Sequence, residues 1–195
     1  MGVTETSLLD ITSARDELVQ TNQVIAVTER TAEQAEDGSA WRLSLRGFYG
    51  LRNELVQELE TYARSDDERV QRAAIRALGK AGGEAAVPTL AEALRSPSAN
   101  VRQEAIWALS EIGSEAALPA LAEALRTPDA PTRELAARAL GRIGAEGAVS
   151  ALAEAVDRES PGPVLAAVVA ALKFIDTPEA REAAERAGRL PAASR

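Results

Sequence analysis

Between Asp67 and Val156 the chain repeats itself with a period of 31 residues. Leu78, Leu109 and Leu140 fall in one register, as do Gly82, Gly113 and Gly144, then Leu90, Leu121 and Leu152, and Pro88 with Pro119. Leucine, glycine and proline keeping phase together narrows the choice of fold. A unit of this length cannot bury its apolar face alone and must stack on its neighbours. The expected architecture is all-α, a right-handed α-solenoid of short helical hairpins with an N-terminal helical cap.

Each unit reads as helix, glycine turn, helix. In the copy from Asp67, the aspartate is an N-cap, and Val70, Ala74, Leu78 and Ala81 form a stripe at helical spacing. Gly82 and Gly83 are expected to end the helix in a left-handed turn, which glycine adopts without steric cost. Pro88 suits the first turn of the second helix, where its missing N–H is no loss. Ser98 and Asp129 take the cap position in the next two copies, and Thr177 or Asp176 in the last. Asp66, Asp67 and Glu68 are read as a capping run with a solvated face. Gly141, Gly144 and Gly147 share the spacing of a phosphate-binding loop. No strand precedes them and Gly144 belongs to the repeat, so they are read as a helix terminator. Arg102 and Arg133, one period apart, are expected to pair with the polar caps and hold the units in register.

The flanks depart from the period. Thr12 or Ser13 before Asp16 and Glu17 reads as a helix start, and Ile11, Ala14, Leu18, Ile25 and Ala32 keep a helical rhythm. One helix is expected from about Ala14 to Ala35, with Asp37-Gly38-Ser39 as a loop and Ser39 as the next cap. Trp41, Leu45 and Phe48 share a face there. The resulting organisation is an N-terminal extension or cap (1–38), a degenerate first repeat (39–66), clear repeats at 67–97, 98–128 and 129–160, a C-terminal repeat or cap (161–187) and a frayed tail (188–195).

The segments VRQEAIWALSEIG (residues 101–113) and TRELAARALGRIG (residues 132–144) resemble the short HEAT-like repeat of the phycobilisome-lyase family. The resemblance spans about residues 53 to 176. It departs from the pattern at Gln71 for arginine, Thr132 for valine and Asp176 for glycine. It implies a fold and two classes of function. One is a non-catalytic scaffold or adaptor that holds a protein partner on its concave face. The alternative is a phycobilin lyase subunit or chromophore chaperone, with a transiently bound phycobilin. Under the adaptor reading no cofactor is expected.

Composition narrows the chemistry. The chain has no cysteine and no histidine, which removes disulfides, thiol nucleophiles, Cys/His metal sites and imidazole acid–base catalysis. A net charge of −8 argues against a nucleic-acid partner. The first residues lack a basic start followed by an apolar core. The longest apolar run, Val164 to Leu172, is about half a bilayer span. A cytoplasmic protein without a membrane partner is expected. Lys80 and Lys173 are the only lysines among 22 basic residues, which fits GC-rich prokaryotic coding. No carboxylate pair is placed in a pocket by the sequence, so no catalytic residue is assigned.

The candidate site lies on the first helix of each unit, where positions at i, i+4 and i+8 form exposed rows once the buried stripe is set. The middle row is Arg76, Trp107, Arg138 and Ala170; beside it run Lys80, Glu111, Arg142 and Phe174, and Arg72, Gln103, Glu134 and Ala166. Tryptophan and arginine dominate binding hot spots. Arg76, Trp107 and Arg138 with Arg142 and Lys80 therefore read as a strip for an acidic or carboxylate-bearing protein. The competing reading has Trp107 filling a gap between units while the arginines pair with Glu111 and Glu134. The apolar end, Ala166, Ala170 and Phe174, reads either as a docking patch or as a surface that lies under the final helix, the second being preferred.

Overall fold

The computed structural model describes residues 3–33 and 39–189, and every regular element among them is helical. By contact the chain divides into two compact units, Met1–Thr89 and Leu90–Arg195.

In the first unit α1 (Val3–Glu33) packs along both α2 (Ser39–Tyr62) and α3 (Glu68–Ala77). Its buried stripe is Ile11, Ala14, Leu18 and Ile25. The helix begins well before the expected Ala14. Thr12 is no cap; its hydroxyl donates back to the Leu8 carbonyl at 3.0 Å, one turn earlier. Expected features at Ala35, Asp37 and Gly38, and the side chains of Trp41 and Leu45, lie outside the described residues, and Phe48 is half-buried. Ser39 is the first residue of α2 itself, which continues without a break through Gly47 and Gly50.

Asp67 caps α3, accepting from the N–H groups of Arg69 at 2.8 Å and Val70 at 3.4 Å. The glycine turn that follows differs from the expected one. Past Ala77 the helix widens into a π turn, Leu78–Gly82, and Gly82 stays right-handed at φ −71°. Gly83 takes the positive angle instead, φ 59° and ψ −157°. Gly82 serves packing, because a Cβ there would stand 2.8 Å from that of Ala86. The Asn22 amide of α1 donates to the Ala81 carbonyl at 2.8 Å, satisfying an acceptor that the widened turn leaves at the helix end.

The second unit follows the period closely. After α4 (Val87–Ala93), which crosses the division, come α5 (Ala99–Ile112), α6 (Leu118–Ala124), α7 (Ala130–Ile143), α8 (Val149–Arg158), α9 (Pro163–Ile175) and α10 (Pro178–Gly188). Ser98, Asp129 and Thr177 cap α5, α7 and α10 by accepting from Val101, Thr132 and Ala180. Helix α7 packs between α5 and α9, and α10 lies on α8 and α9.

Gly113 and Gly144 close α5 and α7 in the left-handed region at φ 67° and 71°, and Asp176 takes the same place after α9 at φ 55°. A side chain costs about 1 kcal/mol in that region. The ion pair of Asp176 with Arg181, at 2.8 Å, is exposed and weak. Asp176→Gly should therefore raise stability by about 0.5–1 kcal/mol, the relief of strain exceeding the extra freedom of glycine in the unfolded chain. A urea titration that shows destabilisation would contradict this account.

Two arginines join consecutive hairpins. Arg102 donates to the Ser96 and Pro97 carbonyls of its own entry loop, both at 2.9 Å, and to Asp129, the cap of the next unit, at 3.3 Å. Arg133 repeats this on the Thr127 and Pro128 carbonyls, at 3.0 and 2.8 Å, and on Glu159 at 2.6 Å. Glu159 lies one residue before the position periodic with Asp129, in the segment with one inserted residue, and its extra methylene keeps the carboxylate in reach. The expected register-holding role is thus given a geometry. On the surface Arg95–Glu123 and Arg126–Glu154 recur at the same period, at 2.8 and 2.6 Å, but at 50% exposure or more they contribute little.

Asp129 also explains why threonine replaces valine at position 132. Thr132 is fully buried, and its hydroxyl donates to the Asp129 carboxylate. That hydrogen bond, with Arg102 beside it and against the opposing effect of burial, holds the Asp129 carboxyl below its ordinary value. A depressed native pKa contributes stability that is present above the unfolded value of about 3.9 and is lost as pH falls through the native one. Thr132→Val should move the Asp129 titration, followed by carboxyl NMR, up toward 3.9 and shift the acid unfolding limb to higher pH. An unmoved titration would exclude this role for the hydroxyl.

Candidate partner-binding face

The expected site residues fall in both units. In the first, Arg76 and Lys80 are exposed and Arg72 is half-buried, all on α3 and its π-turn extension. In the second, Trp107 and Glu111 belong to α5, Arg138 and Arg142 to α7, and Phe174 to α9. Their positions follow from the buried stripes, since Val101, Ala105 and Leu109, and likewise Thr132, Ala136 and Leu140, turn the opposite side of each helix to the interior.

Within the second unit the rows make lateral contact. Arg142 of α7 reaches Glu111 of α5 at 2.5 Å, across one full period. The Phe174 ring lies against the turn that ends α7, its Cε1 3.4 Å from where a Cβ on Gly144 would be. Arg138 is tied to Glu134 one turn back on its own helix, at 2.5 Å. So both arginines are paired inside the chain, on Glu111 and Glu134, as the competing reading has it. Trp107, by contrast, keeps 39% of its surface exposed and does not act as a buried filler. A bare cationic strip is therefore not what the second unit presents. It presents an indole flanked by ion pairs.

The apolar end departs from expectation. Ala166 and Ala170 are exposed, and Phe174 is 71% exposed, so none of the three lies under α10. The reason is the line that α10 takes. Its alanines Ala180, Ala183 and Ala187 are the buried ones, where α10 lies on α8 and α9. Between α9 and α10 there remains a groove of about 500 Å³, lined by Leu165, Val169, Ala170 and Lys173 of α9 and by Ala184 and Ala187 of α10, among others. Sequence reasoning passed over Lys173 and Val169. The available signal was the run Val164 to Leu172, which is apolar on every side and so has more apolar surface than one neighbouring helix covers.

Two further clefts carry charged side chains in their walls. One of about 390 Å³ sits beside the Arg102 clamp, its walls formed by the Arg95–Glu123 and Arg102–Asp129 pairs. The other, about 580 Å³, lies between α8 and α10 and carries Glu146, Glu179 and Glu182. Among the described residues no group of three or more acidic side chains is placed to hold a metal ion, and no helix is long and apolar enough to cross a membrane.

Consecutive hairpins with a shared cap, a shared glycine turn and an arginine clamp define a helical-repeat protein, and its class is legible from these features alone. The chain belongs to the HEAT-repeat family: the family model described as HEAT repeats matches residues 53–135 and again 122–191. Solved structures with the same fold include the complex of CpcE and CpcF of phycocyanin lyase from Nostoc sp. PCC7120, at 24% identity and TM-score 0.54, covering 68% of this chain and 63% of that one. Human deoxyhypusine hydroxylase in complex with glycerol matches at 24% identity and TM-score 0.57, over 79% of this chain and 62% of its own. An engineered protein matches at 23% identity and TM-score 0.54, over 92% and 85%. The chain thus spans less than two thirds of the lyase and hydroxylase chains, and at these identities the likeness is one of fold. No curated protein matches the sequence.

Proposed function

We propose that this protein is a non-catalytic HEAT-repeat adaptor that holds a protein partner on the exposed face of its first helices, with Trp107 as the anchor. The observation that carries the reading is the exposure of Trp107, 39%, on α5 of a unit whose next first helix, α7, carries the ion-paired Arg138 and Arg142. A partly exposed indole on a surface that also carries arginines has the residue make-up of an interface hot spot. Arg138 and Arg142, with 66% and 56% of their side chains exposed, then take a partner's carboxylates in addition to Glu134 and Glu111, since a guanidinium carries five N–H donors. This gives an acidic partner selectivity without leaving either glutamate unpaired. Arg76, Lys80 and Arg72 of the first unit add positive charge to the same kind of surface.

The test is quantitative affinity capture from native extract, read by mass spectrometry. The baits are the wild type, Trp107→Ala and Arg76→Glu/Arg138→Glu. One protein depleted at least about tenfold with both variants, whose melting temperatures stay within about 2 °C of wild type, is the expected result. Equal recovery on all three baits rejects the face. A bilin retained on the wild-type bait would move the reading to a lyase subunit.

A further inference from the structure

The groove between α9 and α10 has a chemistry unlike the rest of the surface. The chain is 27% charged and carries a net −8. Yet Lys173 is the one ionisable side chain among the residues lining this groove. Lys173 is exposed and forms no ion pair among the described residues. Of the acids of α10, Glu179 and Glu182 line the cleft against α8, and Glu185 pairs with Arg189 at 3.8 Å. The floor is apolar and firm, with Leu165 buried to 7% exposure, while Ala166 and Ala170 stand exposed along the rim. Phe174, next to Lys173 in sequence, is the most exposed aromatic ring among the described residues.

We infer that this groove receives an apolar peptide segment bearing a carboxylate, with its aliphatic side chains over Leu165 and Val169 and its carboxylate at Lys173. Charge complementarity argues for the carboxylate: an apolar trough with one cation and no anion leaves a single kind of charge to be met. The shallow form argues for a peptide. A free alkyl chain gains most from enclosure, whereas alanines on both walls leave an open trough in which a segment lays down alternate side chains while its backbone stays in water. Ala170 belongs both to this rim and to the row that contains Trp107 and Arg138, and Ala166 to the adjacent row of Gln103 and Glu134, so the groove continues the proposed face. The inference thus rests on the adaptor reading and adds to it the nature of the partner segment.

The experiment uses the full chain, labelled with nitrogen-15, and the probe peptide acetyl-Ala-Leu-Ala-Leu with a free C-terminal carboxylate, beside the same peptide as its amide. The expected result is progressive shifts of the Leu165, Val169, Ala170, Lys173, Ala184 and Ala187 amides, with the carboxylate form binding about tenfold tighter. Lys173→Gln should bring the carboxylate peptide to the affinity of the amide. Ala170→Glu, at an exposed position, should abolish binding of both while the melting temperature holds. Equal affinity for the two peptides, shifts centred elsewhere or no shifts overturn the inference. So does laurate binding the same residues more tightly than the peptide, which would make the ligand a fatty acid. A tenfold gain in affinity on deleting residues 190–195 would make the chain's own end the occupant and also overturn it. Partner capture lost in Trp107→Ala but retained in Ala170→Glu would reject the groove and keep the adaptor.

Discussion

Arg133→Ala is expected to lower stability by about 3 kcal/mol and the melting temperature by about 6–12 °C. Three groups lose their partner at once. The Thr127 and Pro128 carbonyls give up bonds of 3.0 and 2.8 Å, and Glu159, only 12% exposed, is left as a carboxylate without a counter-charge. Leaving a partly buried charge unpaired costs more than the pair itself contributes, so the single mutant should be worse than the pair removed together. Glu159→Gln on the Arg133→Ala background should recover part of the loss. Arg133→Lys should recover little, because an ammonium cannot reach two carbonyls and a carboxylate from one planar fork. Arg102→Ala should cost less, since Asp129 is 28% exposed and retains its bonds from Thr132. Differential scanning calorimetry of the four variants checks the order, and an Arg133→Ala transition within 2 °C of wild type would remove the clamp from the account.

Gly141→Ala should destabilise by about 2–3 kcal/mol although alanine is the better helix former by about 1 kcal/mol. A Cβ at position 141 would stand 2.8 Å from both the Cα and the Cβ of Ala171, and such a clash is relieved only by moving α9 away from α7. Gly141→Val should prevent the second unit from reaching its native packing. Ala171→Gly is a rescue with a defined limit: it removes the Cβ contact but leaves the Cα one, so roughly half the loss should return. Gly47→Ala is the control. It lies within α2, no described atom is within 4 Å of its added Cβ, and it should gain about 0.5–1 kcal/mol. Urea titrations of these variants separate packing from propensity, and a stabilised Gly141→Ala would show that α9 moves freely.

These two predictions also mark what each kind of information carries. Arg133 was legible in the sequence because its role is periodic: an arginine that recurs with the caps has a cap to pair with. Gly141 was not. Its neighbours in the sequence, Gly144 and Gly147, suggested a turn, while its reason lies 30 residues away on α9.

The same division holds for the rest of the chain. The helical hairpins, the caps at Asp67, Ser98, Asp129 and Thr177, the left-handed closures at Gly113 and Gly144 and the buried stripes were decided by the sequence. Each depends on side chains within about four residues of the backbone groups they satisfy, or on a spacing that one helix expresses alone. What the tertiary structure decided was everything set by a neighbour. The packing of α1 along α2 and α3 is of this kind, and the π turn at Leu78–Gly82 accompanies a hydrogen bond from Asn22, 59 residues before its acceptor at Ala81. The pairing of Arg142 with Glu111 needed two helices at a set distance. The exposure of Phe174 and the groove beside Lys173 needed the line of α10, which packs on α8 and α9 and leaves a groove against α9 uncovered. Periodicity states which face of a helix is apolar; only the packed chain states how much of that face remains in water.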